Sequence, residues 1–490
     1  MVDLPVPPVY LWKPFGFAFL LGAAIITVGV LIYRSRTSAS TENSYQRTDS
    51  SNSRGNTTFY NANKITYDSR HQIRLCNTNC CLYKGKFAGH IEVAVKRILI
   101  PTNDKSKITL DLESLEERLR RVVTINHNLL VESSEPNIVR FFCNEFEKEG
   151  EKLYLLLALE LCDCNLEEFI LSRRGYPPIA NNNIILQLLN GLHYLHSRQI
   201  VHRDLKPTNV LMKQKLSGEL IFKLSDFGLS KLNTSTNNGV PSEQSYLSDE
   251  YGTVGWIPPE IFALREQSVS NPDRSYWKRS DIFPLGLIFY HIATDGRYVF
   301  INQGDIQSGK ADFTYISGND PMLRLLRHML APRPEDRPFT DGIMKHPALW
   351  STEKTLDFFD NTSNLLMDRT VSLTCSIEQN AVNILRGDWR VHLTPAVENS
   401  LFPHISTYNR RGRNQNQPSY DKTSVQSLLR AIRNNKGHFY QLSPAIQAEF
   451  GKVPDGYLSY WTSKFPELLM HTYYAMKVYS SQSCMSRFYA

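Results

Sequence analysis

Cysteine is scarce in this chain of 490 residues. There are eight, too thinly spread for the disulfide framework of a small secreted domain. Cys76, Cys80 and Cys81 cluster, but no second Cys/His pair stands nearby at zinc spacing, so they read as reduced thiols. Apolar runs are scarce as well. Mean hydropathy is −0.33, and this excludes a multi-span membrane protein. No internal repeat is evident, which excludes solenoids and propellers. The net charge of +7 is only mildly basic, whereas the 41% hydrophobic share is enough for real cores. The length fits two or three domains.

The most informative stretch is Val201-His202-Arg203-Asp204-Leu205-Lys206-Pro207-Thr208-Asn209, followed 17 residues after Asn209 by Asp226-Phe227-Gly228. Phosphoryl transfer needs a carboxylate to orient the attacking hydroxyl, and Asp204 fits. It needs a cation at the transferred phosphate, and Lys206 fits. It needs oxygen ligands for magnesium, and Asn209 with Asp226 fit. A polar loop beside a buried strand would not account for both motifs in this order. The pair resembles the catalytic and metal loops of a protein kinase. That resemblance implies a bilobal kinase fold, serine/threonine specificity, and ATP or ADP with Mg2+ as ligands.

Residues 1–14 form a short leading segment. Phe15 to Tyr33 is 19 residues without a charge. As a helix it would reach about 28 Å, close to the hydrocarbon thickness of about 30 Å. Trp12 and Tyr33 edge it, and Arg34 and Arg36 follow it, which places the C-terminal side in the cytosol. A cleaved signal peptide is the rival reading; it fits less well, because no basic region precedes a run this long. Residues 34–65, rich in Ser, Thr, Asn and Arg, read as a disordered juxtamembrane linker.

The kinase domain is expected over residues 66–350. Val93-Ala94-Val95-Lys96 reads as the strand carrying the phosphate-binding lysine. Where a glycine-rich loop should precede it, Arg74 to Asn79 has no glycine, which predicts an altered phosphate grip. Leu112, Leu115, Leu119, Val122 and Leu129 recur at helical spacing, with Asn126 on the same face. A kinase places there a glutamate paired with the lysine, so Asn126 removes that partner unless Glu132 replaces it. Leu159, Glu160 and Cys162 fit the adenine-binding hinge. Ser230, Thr234, Ser235, Thr236, Ser242, Ser245, Ser248 and Thr253 are candidate phosphosites. Glu260 is expected to pair with Arg337, and Asp281 to brace the catalytic loop.

Residues 351–480 are too many for a tail and read as a small all-α module, with 481–490 as the tail itself. Leu356, Phe359 and Leu366 suggest a helix packed on the large lobe. Gly387-Asp388-Trp389-Arg390 reads as a turn. Val425 to Arg433 reads as a helix with Ser424 as its N-cap, and Tyr457 to Met476 as one helical run. From Arg386 to Lys452 there are ten Lys/Arg against four Asp/Glu. Taken alone, this basic surface is as consistent with a solvated face as with RNA.

Leu428-Leu429-Arg430-Ala431-Ile432-Arg433-Asn434, Phe465-Pro466-Glu467-Leu468-Leu469, Asp357-Phe358-Phe359, Gly387-Asp388-Trp389 and His471-Thr472-Tyr473 resemble the kinase-extension nuclease domain. It occurs in RNase L and in the transmembrane unfolded-protein-response kinase/endoribonucleases. No ankyrin repeats precede the kinase and a membrane span does, which favours the second group. The expected fold is therefore α+β: a single transmembrane helix, a bilobal kinase and an all-α nuclease. The resemblance implies a site of Tyr420, Arg433, Asn434 and His438. Tyr420 would be the base for the 2′-hydroxyl, His438 the acid for the leaving 5′-oxygen, and Arg433 and Asn434 the phosphate holders. No metal is needed for that chemistry. Gly437 stands where the family often has a second histidine.

The implied partners are an RNA stem-loop, ATP or ADP, membrane lipid and a second copy of the chain, in a dimer or oligomer at the endoplasmic reticulum membrane. Only 14 residues precede the span, so the lumenal sensor domain is expected to be missing. Two classes of function follow: a membrane-anchored endoribonuclease with a kinase domain as a nucleotide-biased platform, or a catalytically weak pseudokinase scaffold or decoy for a longer relative. The topology has a direct test. A glycosylation acceptor placed at the N-terminus should be modified and Asn56, in Asn-Thr-Thr, should not; modified Asn56 would reverse the orientation.

Overall fold

The computed structural model describes residues 59–61, 64–77, 80–100, 135–150, 152–226, 231–232, 253–266, 274–318, 320–367, 376–402 and 420–489. The expected membrane span, the linker to residue 58, the helix bearing Asn126 and Glu132, and every candidate phosphosite except Thr253 lie outside these. Among the described residues no helix is long and apolar enough to cross a membrane. The chain divides into two compact units. One runs to Ile257 and takes in Ala263–Asp281; the other comprises Pro258–Phe262 and Ile282–Ala490.

The first unit begins with six antiparallel strands: β1 (Phe59–Asn61), β2 (Ile65–Asn77), β3 (Cys80–Phe87), β4 (Ile91–Ile100), β5 (Phe141–Glu149) and β6 (Lys152–Glu160). Their order is β1-β2-β3-β4-β6-β5. Period-two alternation puts Val93 and Val95 of β4 with Leu156 and Ala158 of β6 into one core with Ile65, Tyr67 and Tyr83. The register Ala94↔Leu159 and Lys96↔Leu157 sets the lysine strand beside the one that leads to the hinge. The glycine-free stretch lies in the β2/β3 hairpin, where Asn77 pairs with Cys80.

Helix α1 (Leu166–Ser172) opens on a capping box between Asn165 and Glu168. Helix α2 (Asn181–Ser197) buries Ile184, Ile185, Leu188, Leu189, Leu192 and Leu195, a stripe at helical spacing. Strands β7 (Val210–Gln214) and β8 (Leu220–Leu224) form a hairpin between the two kinase motifs. Helix α3 (Arg274–Ala293) carries Asp281.

The second unit holds α4 (Pro321–Met329) and then the C-terminal helices: α5 (Thr352–Met367), α6 (Val425–Gly437), α7 (Asp455–Lys464), α8 (Leu468–Met476) and α9 (Ser483–Tyr489). Leu356, Phe359 and Leu366 are buried as expected, but α5 packs chiefly into the core built by α6 to α9 rather than onto kinase helices. The run from Tyr457 to Met476 is two helices, because Pro466 lies between them and cannot continue α7. The expected tail is helix α9, whose Met485 and Phe488 are buried in the same core.

Arg337 and Glu260 pair as expected. Nη1 and Nη2 of Arg337 each reach a Glu260 carboxylate oxygen at 2.6 Å, and Nε donates to the Ala331 carbonyl at 2.8 Å. The arginine side chain is fully buried. Replacing it strands a buried carboxylate, a change worth about 3–5 kcal/mol. Arg337→Met is therefore expected to lower the chemical-denaturation midpoint markedly, whereas a wild-type midpoint would show the pair to be dispensable.

Candidate functional site

The kinase motifs fold into one network in the first unit. Asp281 is fully buried and accepts from the backbone amides of His202 at 2.8 Å and Arg203 at 2.9 Å, and from His196 Nε2 at 2.9 Å. Burial holds the His202 imidazole below its ordinary pKa, and its Nε2 donates to the Ser225 carbonyl at 3.0 Å. This ties the loop before Asp204 to the strand before Asp226. Arg203 and Asp226 have φ of +71° and +64°, left-handed backbone that costs about 1–3 kcal/mol each and persists only where surroundings fix it.

Asp204 Oδ2 accepts from Lys206 Nζ at 2.8 Å and Asn209 Nδ2 at 2.9 Å. Its Oδ1 accepts from Thr253 Oγ1 at 2.8 Å, and Lys206 Nζ also donates to Thr253 Oγ1 at 2.6 Å. Thr253, a candidate phosphosite from sequence, is thus engaged with the two residues expected to do phosphotransfer. A phosphate there would meet the Asp204 carboxylate, so the geometry argues for a positioning role instead. Across the site Lys96 Nζ lies 2.8 Å from Asp226 Oδ1, and that cation holds the Asp226 carboxyl below its ordinary pKa. The donor set suits a magnesium nucleotide. Asp226 offers a carboxylate kept ionised, and Asn209 offers an amide whose NH2 is committed to Asp204, so that its oxygen faces away.

At the hinge, burial alone would raise the Glu160 pKa. Lys213 and Lys223, at 2.9 and 3.1 Å, outweigh it and hold it below the ordinary value. The Glu160 side chain is therefore a brace, and its backbone amide donates to the Arg140 carbonyl at 2.7 Å. Burial pushes the Cys162 thiol up to about 12, so it is a neutral apolar surface at physiological pH.

The nuclease candidates gather at the C-terminal turn of α6. The helix starts where sequence places it. Ser424 Oγ accepts from the Ser427 amide at 3.1 Å, and Glu378 takes the amides of Val425 and Gln426 at 2.9 and 3.0 Å. At the other end Asn434 Nδ2 donates to Tyr420 Oη at 3.1 Å, while Asn434 Oδ1 accepts from Arg433 Nη2 at 2.9 Å. Arg433 Nη1 donates to Asn364 Oδ1 of α5 at 2.6 Å. His438 caps the helix through its amide on the Asn434 carbonyl at 3.0 Å, and its exposed ring meets Gln441 Oε1 through Nδ1 at 3.1 Å. The Gln441 carbonyl can only accept, so Nδ1 carries the proton and Nε2 faces outward.

Tyr420 is buried between Trp389, Phe402 and Arg430. Burial raises its phenol pKa; the Asn434 hydrogen bond and the Arg430 and Arg433 cations pull it back. The expected turn holds the segment that carries this tyrosine. Gly387 takes φ +92°, and Trp389 donates its amide to the Lys422 carbonyl at 3.0 Å and its indole N–H to the Asp421 carbonyl at 2.9 Å. All four sequence candidates thus belong to one local structure. Sequence reading missed Glu378, Asn364 and Gln441, whose roles depend on contacts; only Gln441, three residues past His438, lay close enough in the chain to suggest itself.

Comparison with known proteins finds two domains in succession. A protein kinase domain model matches residues 83–349, and a Ribonuclease 2-5A model matches residues 355–489. The human serine/threonine-protein kinase/endoribonuclease IRE2 is 33% identical over 450 residues, covering 87% of this chain and 42% of that protein. The Caenorhabditis elegans serine/threonine-protein kinase/endoribonuclease ire-1 is 32% identical, covering 84% of this chain and 39% of its own length. The Schizosaccharomyces pombe sensor for unfolded proteins in the ER, ire1, is 29% identical, covering 81% and 36%. The chain thus spans about two fifths of the length of these curated relatives. On the two domain matches and these relatives, it belongs to the family of serine/threonine kinase/endoribonucleases, in which a protein kinase domain is followed by a Ribonuclease 2-5A domain.

Proposed function

We propose that the chain is a membrane-anchored endoribonuclease of the unfolded-protein-response type, single-pass in the endoplasmic reticulum membrane, with its kinase and nuclease domains in the cytosol. Nucleotide in the kinase domain biases self-association, and self-association activates cleavage of an RNA stem-loop. The observation that carries the reading is the connected set Tyr420–Asn434–Arg433 with His438 on the next turn. Its groups match the needs of cleavage by the neighbouring 2′-hydroxyl without a metal. Tyr420 takes the hydroxyl proton. Its phenolate is a minority species at neutral pH, and the Asn434 NH2 beside Oη favours it where it forms. Arg433 and Asn434 hold the phosphate as charge develops. His438 acts in its imidazolium form, in which Nε2 carries a second proton beside the one Nδ1 shares with Gln441, and Nε2 gives that proton to the leaving 5′-oxygen.

In the kinase domain Lys96, Asn209 and Asp226 hold the nucleotide phosphates and Mg2+, the hinge from Glu160 to Cys162 takes adenine, and Asp204 with Lys206 serves phosphotransfer. When bound, magnesium neutralises the phosphate charge. Phosphotransfer is slow, because the stretch from Arg74 to Asn79 lacks the glycines that let backbone approach phosphates. Displacing the phosphates by about 1 Å can cost on the order of 10²-fold. The platform role survives this. Three variants of the full chain separate the two domains' work. His438→Ala should lose about 10²- to 10⁴-fold in RNA cleavage with unchanged folding. Asp204→Asn should lose residual autophosphorylation and keep nucleotide-stimulated cleavage. A bulky residue at Leu159 should block nucleotide and lower cleavage. Wild-type cleavage by His438→Ala would sink the site, and loss of cleavage in nucleotide-bound Asp204→Asn would sink the platform and favour activation by phosphorylation.

A further inference from the structure

We propose that Tyr440 is a stacking platform for the nucleobase immediately 3′ of the cleaved bond, so that the enzyme takes an RNA whose base at that position is unpaired. The inference rests on the nuclease reading above and adds a substrate contact to it. Tyr440 is 87% exposed. Isolated exposed aromatics are ordinary, so exposure alone decides nothing; the placement does. Two other exposed tyrosines lean on a neighbour that shields a ring: Tyr315 lies 3.9 Å from the Arg297 guanidinium and Tyr298 lies 4.9 Å from His291, while Tyr474, with a T-shaped contact like that of Tyr440, is only 42% exposed. The ring contact of Tyr440 is a T-shaped one with Phe439, centroids 5.4 Å apart at 90°, which leaves a ring face open for stacking.

That contact also fixes where the ring stands. Phe439 is buried and packs at 6.1 Å on Tyr457, whose hydroxyl donates to the Ile432 carbonyl of α6 at 2.6 Å. The turn closes with the Gln441 amide on the His438 carbonyl at 2.8 Å and the Leu442 amide on the Phe439 carbonyl at 3.1 Å. Gln441 in the same turn sets the His438 ring so that Nε2 faces outward. Tyr440 is two residues from His438, so their Cα atoms are at most about 7 Å apart. His438 delivers its proton to the 5′-oxygen of the leaving nucleotide. The nucleotide nearest this turn is therefore the one on the 3′ side, and its base has an open aromatic face within reach. Sequence-specific or shape-specific RNA binding proteins take single-stranded bases in this way, splayed out and stacked on aromatic side chains. Base stacking tolerates any base, since each has a π-face.

The test is a double-mutant cycle on the full chain with a synthetic stem-loop whose cleavage position is mapped first. Wild type, Tyr440→Ala and Tyr440→Phe each cleave that RNA and its counterpart with an abasic residue 3′ of the cleaved bond. Stacking of this kind predicts a loss of about 5- to 100-fold in kcat/KM for Tyr440→Ala, near-normal cleavage by Tyr440→Phe, and a similar loss for wild type on the abasic RNA. The abasic change should add less than about threefold to Tyr440→Ala, because the two changes delete one contact. Multiplying defects, a Tyr440→Ala enzyme within about twofold of wild type, or a Tyr440→Phe enzyme as poor as Tyr440→Ala would overturn the platform. Affinity for the same RNA made uncleavable by a 2′-deoxy sugar is read in parallel. Should His438→Ala cleave the unmodified RNA as well as wild type does while Tyr440→Ala binds the uncleavable RNA more weakly, the nuclease reading of this turn falls and the base contact stands.

Discussion

One side-chain amide joins the parts of the proposed nuclease site. Asn434 donates to Tyr420 Oη and accepts from Arg433, while its own carbonyl receives the amide of His438. Tyr420 comes from a segment held by the Trp389 turn, and Arg433 is steadied by Asn364 of another helix. Without the amide these pieces would have no common reference point. An aspartate there could accept from Arg433 but could not donate to a phenol oxygen, and an alanine could do neither. The spacing of the four residues along the chain follows from this geometry. Asn434 and His438 are one helical turn apart, and Tyr420, from the segment before α6, meets Asn434.

The kinase half rests on a comparable clamp. Asp281 holds the amides of His202 and Arg203, and this fixes the loop presenting Asp204. Arg203 in this loop and Asp226 beyond β8 are both left-handed, and such residues persist only where their surroundings fix them. The groups that would meet a nucleotide are meanwhile bonded to one another: Lys96 to Asp226, and Lys206 to Asp204 and Thr253. A magnesium nucleotide would have to exchange these contacts for its own. A domain so arranged, with no glycine from Arg74 to Asn79, fits the proposed role of binding nucleotide and signalling its occupancy better than rapid turnover.

Much of this was legible before any coordinates. The Asp204 to Asn209 and Asp226 motifs carry their own chemistry, the Val93-Ala94-Val95-Lys96 motif placed β4, and the Ser424 cap with the run to Arg433 placed α6. Motif residues clustered by resemblance, Tyr420 with Asn434 and Arg433, do touch. What escaped depended on long-range contacts. Glu378 caps α6 from 47 positions away, and no local pattern announces it. Thr253 looked like one more loop hydroxyl until its bonds to Asp204 and Lys206 were seen. The run from Tyr457 to Met476 read as one helix because its apolar content is continuous, although Pro466 marks the break. The last residues read as a tail because they are few, yet Met485 and Phe488 fill the core of the helical domain.

The central claim is that the turn at the end of α6 cuts RNA through the substrate's own 2′-hydroxyl. The most direct measurement is the chemical identity of the ends left on a stem-loop by the purified chain, with EDTA present and kinase turnover thereby stopped. The account predicts continued cleavage that leaves a 2′,3′-cyclic phosphate on one fragment and a 5′-hydroxyl on the other. Cleavage that leaves a 3′-hydroxyl and a 5′-phosphate would contradict it.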